Sequence, residues 1–522
     1  MAFFSAFFES RTWTLWPENT QPAPMTANPD DQLYRRVFLF LFGFAAVTNM
    51  LFLNNPLWQD ELYTLDHFVL VPPFATLTDY HTTNNHIVFN LISNLYLKLI
   101  GITELSELQA NPIIIRILPY FYTLISIPAF YFGAKKMQGP LFAIIALAIY
   151  ISTLQVYSFG AQARGYSLEL LFIIILFNLI FSYRRSPSLK QLTGISVIGI
   201  LALLNLPSTI YLFISLLLLA FTSAAYSFIN KEGKARLSDF KLFLSLFLAF
   251  VFFALFFYLK KEQLLQSPFI FDSGNTATYR LRQPFSVLFR LTDWRLYLWI
   301  PVGAAFIRPF SFPKNNISLL LPALLTTPFI WFFIHNPAVI LRIWLVLIPA
   351  LCLFLAQCWM TVLNPRKKLL IPFITILLVS VLCSLYFLRT QTFANNARNF
   401  ASSDLRYQYH LFGFNPKEIV SAAARKTRTP GTRIMLHDPS SYGMPYYLRN
   451  ENLLPLDSAG VYPGKIFLIS DRFDCFERIH ISRNNIIDSG QNNKTHFFKW
   501  YLLRVKSSSS SSLPHNQSLL SY

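Results

Sequence analysis

The stretch that decides the fold is 37–68, VFLFLFGFAAVTNMLFLNNPLWQDELYTLDHF. Its first half, 37–53, is mostly apolar and comes close to the roughly 20 residues that a membrane-spanning helix requires. Two adjacent carboxylates, Asp60 and Glu61, follow at the point where such a helix leaves the membrane. The stretch predicts a span that ends in a polar loop, and the adjacent acids are the first candidates for chemistry.

The composition of the whole chain is typical of a membrane protein. Of its 522 residues, 54% are hydrophobic and only 13% are charged, whereas soluble domains carry about 25% charged residues. The net charge of the chain is +19, as expected for a membrane protein whose cytoplasmic loops accumulate Lys and Arg. No basic stripe or RNA-binding motif indicates a nucleic-acid partner. We therefore expect a multi-pass protein of a bacterial inner membrane.

Eleven apolar runs predict an all-α polytopic membrane domain at 37–388, preceded by a cytoplasmic or interfacial segment at 1–36. The runs lie at 37–53, 113–133, 141–156, 167–183, 192–206, 208–228, 240–258, 294–310, 317–334, 338–360 and 369–388. The basic clusters between them fall on one side only if 86–101, a run that polar residues interrupt, is an interfacial helix. The segment 54–112 then forms one long external loop, which places the two acids outside the cytoplasm.

One predicted external loop, 259–293, breaks the charge rule because it is rich in Lys and Arg. Either the topology changes there, or the loop is basic for a reason such as an anionic ligand. Arg280 and Arg282 are its candidates for binding such an anion.

The composition changes after residue 388. Polar and charged residues mix with the alternating runs TRIMLHD, GKIFLISD and FKWYLLRVK, which predict strands. We expect a small extracytoplasmic α/β domain at 389–505, followed by a disordered serine-rich tail at 506–522. The four cysteines predict neither a metal site nor a disulfide framework.

Several polar side chains lie near the predicted membrane surface and are candidates for a site. The carboxylate of Asp60 can accept a proton from an attacking hydroxyl. An arginine at the mouth of an apolar helix, such as Arg164 or Arg342, either extends towards lipid headgroups or binds a phosphate with its planar fork of donors. Tyr157 and Tyr166 either belong to an interfacial aromatic belt or line a sugar site.

In this order, the residues resemble the membrane glycosyltransferases of the GT-C fold that use polyprenyl-phosphate sugars. The resemblance is to family 39, the protein mannosyltransferase-like proteins, and to the aminoarabinose-transferase-like branch. Three motifs carry it: W-x-DE at Trp58, Asp60 and Glu61; NNHIVFNLI with Asn85 and His86; and a YS…AR-x-Y element with Tyr157, Ser158, Arg164 and Tyr166. The sequence departs from the family pattern at Ile87, where proline is usual, and at Gln162, where an acid is usual.

The resemblance implies transfer of a sugar from a polyprenyl-phosphate donor to a lipid, glycan or protein acceptor, with membrane lipids as surroundings. The YS…AR-x-Y element contains no paired metal-binding acids, so we expect no cofactor or metal. It implies Asp60 as the general base on the acceptor, with Glu61 as second choice. The expected substrate-binding residues are Asn85, His86, Tyr157, Arg164, Tyr166, Arg280, Arg282 and Arg342. Two alternatives from other classes stay open, namely a lipid or sugar transporter (flippase) and an inactive scaffold of envelope glycan assembly.

Overall fold

The structure is a computed structural model that describes residues 29–80, 82, 85–229, 233–265, 285–292, 295–307, 317–335, 341–363, 366–389, 416–427, 432–437, 444–450, 453, 464–470, 486–491 and 499–505. Its helices are Pro29–Met50, Gln59–Thr64, Pro73–Thr78, Ile87–Leu99, Leu105–Ala110, Ile113–Gln138, Pro140–Ser152, Leu154–Gly160, Tyr166–Arg185, Leu189–Asn205, Ile210–Ile229, Gly233–Tyr258, Lys261–Leu265, Ile300–Ile307, Ile317–His335, Ile348–Leu363, Leu370–Arg389, Pro416–Thr427 and Met444–Asn450. Short 3₁₀ segments are Pro207–Thr209, Leu296–Trp299, Leu341–Leu347 and Lys367–Leu369, and Leu65–Val69 is a π-helical turn. The strands are β1 (Thr432–His437), β2 (Gly464–Ser470), β3 (Ile486–Gln491) and β4 (Lys499–Val505).

The chain forms two compact units, each assembled from separate segments. The first takes its described residues from Met1–Leu51, Pro72–Ser93 and Arg116–Leu382, and the second from Phe52–Val71, Asn94–Ile115 and Cys383–Tyr522. The sheet thus belongs to the same unit as part of the predicted external loop. The domain boundaries drawn from the sequence, including a separate domain at 389–505, stay a prediction.

The protein is a mostly helical membrane protein with a small sheet. Among the described residues, six helices are long and apolar enough to cross a bilayer. They are Asp31–Met50, Ile113–Gln138, Tyr166–Arg185, Pro207–Ile229, Leu237–Tyr258 and Arg342–Leu363. A bent pair would make a seventh span, and the total of eleven spans stays a prediction.

Some of the predicted apolar runs form helices shorter than the roughly 20 residues that a span requires. The run 192–206 is the 17-residue helix Leu189–Asn205, and the run 294–310 divides into a 3₁₀ turn and the eight-residue helix Ile300–Ile307. The helix Ile87–Leu99 has 13 residues, or about 20 Å at 1.5 Å per residue. That length is less than the roughly 30 Å hydrocarbon core, which agrees with the prediction that this run does not span.

The apolar run 141–156 contains a break. Pro140–Ser152 and Leu154–Gly160 meet at an angle of 59°, and the Arg295 guanidinium donates to the carbonyl of Ser152 that the break exposes. Because the membrane core offers no water, irregular backbone at this depth must be satisfied by protein groups. The arginine supplies that partner.

The first unit has a continuous core of aliphatic and aromatic side chains between its helices. Near the last turn of Tyr166–Arg185, the buried Arg184 forms an ion pair with Asp239. The hydroxyls of Ser223 and Ser227 each donate to the same carboxylate at 2.8 Å. A buried carboxylate with three donors is fully paired, as low-dielectric surroundings require.

The second unit contains a mixed four-stranded sheet with the order β1-β2-β4-β3. β1 pairs in parallel with β2, and β4 runs antiparallel to both β2 and β3. The helix Pro416–Thr427 precedes β1 in the sequence. It buries one apolar face, with Ile419 and Ala423 at its centre. The three predicted strands are confirmed, while β3 was not predicted.

Candidate functional site

A tight turn in the first unit carries the first functional arginine. The turn lies between Leu154–Gly160 and Tyr166–Arg185, and its residues are buried throughout. Arg164 is only 1% exposed, and its backbone N–H donates to the carbonyl of Gln162 at 2.7 Å. An arginine that only extended towards headgroups would be exposed, so the structure favours an internal role for this side chain.

His86 and Arg164 are in direct contact. One guanidinium nitrogen, Nη2, lies 3.2 Å from Nε2 of His86, although the two residues are 78 positions apart. The guanidinium carbon lies 4.9 Å from the centre of the Tyr166 ring, and the Tyr166 and His86 rings meet edge to face at 5.0 Å. Two of the three sequence motifs therefore converge on one buried cluster, the His86–Arg164–Tyr166 cluster.

The imidazole of His86 is held neutral. Burial lowers its pKa well below 6.5, and the positive charges of Arg164 and Arg342 lower the pKa further. Because a guanidinium can only donate, Nε2 must accept and the proton lies on Nδ1. Nδ1 is buried and has no hydrogen-bond partner in the described part of the chain.

Asn85 is buried and organises the loop that precedes His86. Its side-chain amide donates to the carbonyls of Thr76 and Asp79 at 2.8 and 2.7 Å. Its side-chain oxygen accepts from the Asn90 amide at 3.0 Å. These bonds give Asn85 a structural task beside its predicted role in substrate binding.

A second polar network adjoins the cluster, and two of its members, Asn205 and Thr209, were not predicted from the sequence. The side-chain nitrogen of Asn205 donates to the carbonyl of Gly165 at 2.8 Å and to Glu169 at 3.0 Å, while its oxygen accepts from the Phe89 N–H at 3.2 Å. Thr209 donates to the other oxygen of Glu169 at 2.5 Å. The signal in the sequence was LALLNLPST, where Asn and Thr flank a proline at the end of an apolar run.

Gly165 is the point of closest packing in this network. A Cβ at this position would lie 2.7 Å from Nδ1 of His86 and 2.8 Å from the side-chain oxygen of Asn205. Its φ of −70° is open to any residue, so only space requires glycine here. The imidazole and the amide thus both pack against the position that a Cβ of residue 165 would occupy.

The acids Asp60 and Glu61 lie in the second unit and differ in environment. Glu61 is fully buried, and its carboxylate accepts from the Trp58 N–H at 3.1 Å, which caps the helix Gln59–Thr64. Asp60 is half-buried, and its carbonyl accepts from the Thr64 hydroxyl at 2.7 Å. The hydroxyl of Tyr447 donates to the Leu57 carbonyl at 2.7 Å, which holds the start of this segment.

The other predicted residues are placed as follows. Tyr157 is completely buried, and its hydroxyl has no hydrogen-bond partner among the described residues. Arg342 is half-buried, and its positive charge is close enough to lower the pKa of His86. Arg280 and Arg282 lie outside the described residues. Within the described ranges, no group of three or more His, Cys, Asp or Glu side chains could hold a metal ion.

Comparison with known proteins gives little further information. No protein-family model matches the chain, and no curated protein matches it. Among solved structures, the crystal structure of ArnT from Cupriavidus metallidurans in the apo state is similar over 91% of this chain and 98% of that chain, with a TM-score of 0.45 and 11% identity. A similarity of this size establishes no family membership and no shared activity.

Proposed function

We propose that this protein is a glycosyltransferase that moves a sugar from a polyprenyl-phosphate donor to an envelope acceptor, a lipid, glycan or protein, at the outer face of the membrane. One observation carries the proposal. His86 and Arg164 come from two separate motifs of the resemblance, and their side chains are in contact inside a buried cluster. The cluster has a neutral imidazole and one guanidinium group, and the positive charge of Arg342 acts on the same imidazole, so it suits an anionic ligand.

The arginines supply what departure of the lipid phosphate requires. The bond between the anomeric carbon and the phosphate oxygen breaks, and both electrons leave with the phosphate as a monoester. Guanidinium groups stabilise that developing charge, and a dry site strengthens the effect. The Tyr166 ring lies under the Arg164 guanidinium, which favours the charged group and fixes its plane.

The acceptor requires a base. Its hydroxyl or amine attacks the anomeric carbon from the side opposite the phosphate, which inverts the configuration, and its proton goes to a carboxylate. Asp60 suits this role better than Glu61, because the carboxylate of Glu61 caps a helix while that of Asp60 is half-exposed. Glu61 then acts by holding the segment that carries Asp60.

The test measures sugar transfer directly. Purified protein in bilayers is incubated with a panel of labelled polyprenyl-phosphate sugars, and loss of each donor is followed with and without membrane extract as acceptor. We expect one donor class to be consumed and Asp60→Asn to reduce the rate by at least about a hundredfold, since a positioned base contributes 10²–10⁴-fold. The control is Asp66→Asn, which removes a partly exposed acid of the same unit and should leave transfer near normal.

Two results would reject the proposal. One is consumption of no donor, which an inactive scaffold would give. The other is labelling of a cysteine introduced at position 60 from the cytoplasmic side only. If Asp60→Asn alone kept normal activity, the assignment of the base would be wrong while the proposed transfer would stand.

A transporter is the second candidate, and the bent span at Thr153 is the observation that favours it. Discontinuous helices form the substrate sites of many transporters. A transporter would move the labelled lipid between leaflets and leave the sugar–phosphate bond intact. The same assay therefore separates the two functions.

A further inference from the structure

Asn205 lies at the end of Leu189–Asn205 and connects three segments of the first unit. We propose that Asn205, kept in orientation by Glu169, is a positioning residue that fixes the Arg164–Gly165 turn against His86. This inference rests on the proposed glycosyl transfer. It assigns the placement of the Arg164 guanidinium to a residue outside the three sequence motifs of the resemblance. Neither residue is proposed to contact the substrate.

The hydrogen bonds fix the orientation of the Asn205 amide. The Phe89 N–H can only donate, so the atom facing it must be the side-chain oxygen. The Gly165 carbonyl can only accept, so the atom facing it must be the side-chain nitrogen. The second hydrogen of that nitrogen goes to Glu169. A rotated amide would break all three bonds at a buried position, where unpaired polar groups are costly.

The same bonds determine where the guanidinium of Arg164 lies. Gly165 follows Arg164 directly, and its carbonyl is held by Asn205 while its Cα packs against the imidazole of His86. The Phe89 N–H belongs to the first turn of Ile87–Leu99, directly after His86. Asn205 therefore ties the backbone next to Arg164 to the backbone of the helical turn that follows His86, and it sets the distance between their side chains.

Glu169 orients the amide because both of its oxygens are engaged. One accepts from Asn205 and the other from Thr209, the last residue of the 3₁₀ turn after Asn205. The carboxylate thereby fixes the chain on both sides of Pro207. This arrangement accounts for an acid one turn inside a membrane helix without giving it a role in proton transfer.

A double variant that reverses the hydrogen bond between positions 205 and 169, called the reversed pair, separates a positioning role of Asn205 from a purely structural one. Asn205→Asp keeps the oxygen that faces Phe89 but loses the donor to Gly165 and places a second carboxylate beside Glu169. Adding Glu169→Gln restores a donor–acceptor pair between positions 205 and 169 with reversed direction. It does not restore the bond to the Gly165 carbonyl.

The experiment measures the thermal unfolding midpoint, the KM for the donor, kcat, and binding of labelled polyprenyl phosphate without acceptor. For Asn205→Asp we expect a lower midpoint and at least a tenfold rise in donor KM and in the dissociation constant of the lipid phosphate. In the reversed pair the midpoint should recover while KM and the dissociation constant stay at least fivefold raised. The matched control is Asn178→Asp, which removes an amide bond to the Ala129 carbonyl elsewhere in the unit; it should lower the midpoint without changing donor KM.

The outcomes are distinct. Recovery of KM together with the midpoint in the reversed pair would overturn the positioning role, since a purely structural contact predicts that result. An unchanged dissociation constant in Asn205→Asp would overturn it too. A wild-type protein that binds the lipid phosphate but transfers no sugar would overturn the proposed function alone, and the binding arm would still decide the role of Asn205.

Discussion

Replacing Gly165 with alanine tests the packing of the candidate site most directly. The new Cβ would lie 2.7 Å from Nδ1 of His86 and 2.8 Å from the Asn205 oxygen, whereas ordinary contact begins at 3.4 Å. The shortfalls are 3.4 − 2.7 = 0.7 Å and 3.4 − 2.8 = 0.6 Å. Both neighbours are held by hydrogen bonds of their own, so neither can move without loss.

The size of the effect follows from those distances. Overpacking of this kind costs about 1–3 kcal/mol of stability. A displacement approaching 1 Å in a positioned site costs up to about a hundredfold in rate. We therefore expect kcat/KM for sugar transfer by Gly165→Ala to fall about tenfold to a hundredfold, with a loss of folding stability of about 1–3 kcal/mol.

The assay is steady-state transfer in bilayers together with thermal unfolding in the same lipid. Gly43→Ala is the control, because a Cβ there meets nothing within 4 Å and alanine favours a helix. It should be as active and at least as stable as the wild type. Full kcat/KM in a stable Gly165→Ala protein would refute the claim that this packing positions Arg164.

Two further predictions concern charge. The pKa of His86 is lowered by burial and by Arg164 and Arg342. As the pH falls through about 6.5, the histidine is therefore protonated in the unfolded chain while it stays neutral in the folded chain. This contribution to stability is fully present above about pH 6.5 and is lost as the pH falls, by up to about 1.4 kcal/mol per pH unit. Unfolding midpoints of wild type and His86→Asn between about pH 5 and 8 should show the steeper acid loss in the wild type, and parallel curves would contradict the prediction. Asp239→Asn leaves Arg184 buried without its carboxylate and should cost about 3–5 kcal/mol in unfolding experiments; a loss below about 1 kcal/mol would show that the pair contributes little.

Local patterns in the sequence were sufficient for the six long apolar helices and for three strands. Apolar runs identify spans because the bilayer admits few alternatives, and alternation identifies β1, β2 and β4. β3, IIDSGQ, escaped prediction because Asp, Ser and Gly are depleted in strands. The break at Thr153 was missed because it lies within one mostly apolar run, and the arginine that satisfies it comes from 143 residues away.

Some residues of the candidate site could also be predicted from local sequence patterns, and others could not. Arg164 and His86 were identified by residue type and position, but their contact depends on which loop packs on which turn, and periodicity does not determine that. Asn205 was missed because an asparagine before a proline is usual at helix ends. The cap formed by Glu61 could have been recognised, since glutamate at the third helical position is a known capping signal.

The hydrogen bond between Tyr447 and Leu57 joins residues 390 positions apart. A ribosome adds about 5–20 residues per second, so the segment with the acid pair emerges roughly 20–80 s before the tyrosine that anchors it. During biosynthesis the first hydrophobic segments are inserted before this hydrogen bond can form. Nascent chains stopped before Tyr447 would therefore lack the hydrogen bond that holds the start of the segment with the acid pair.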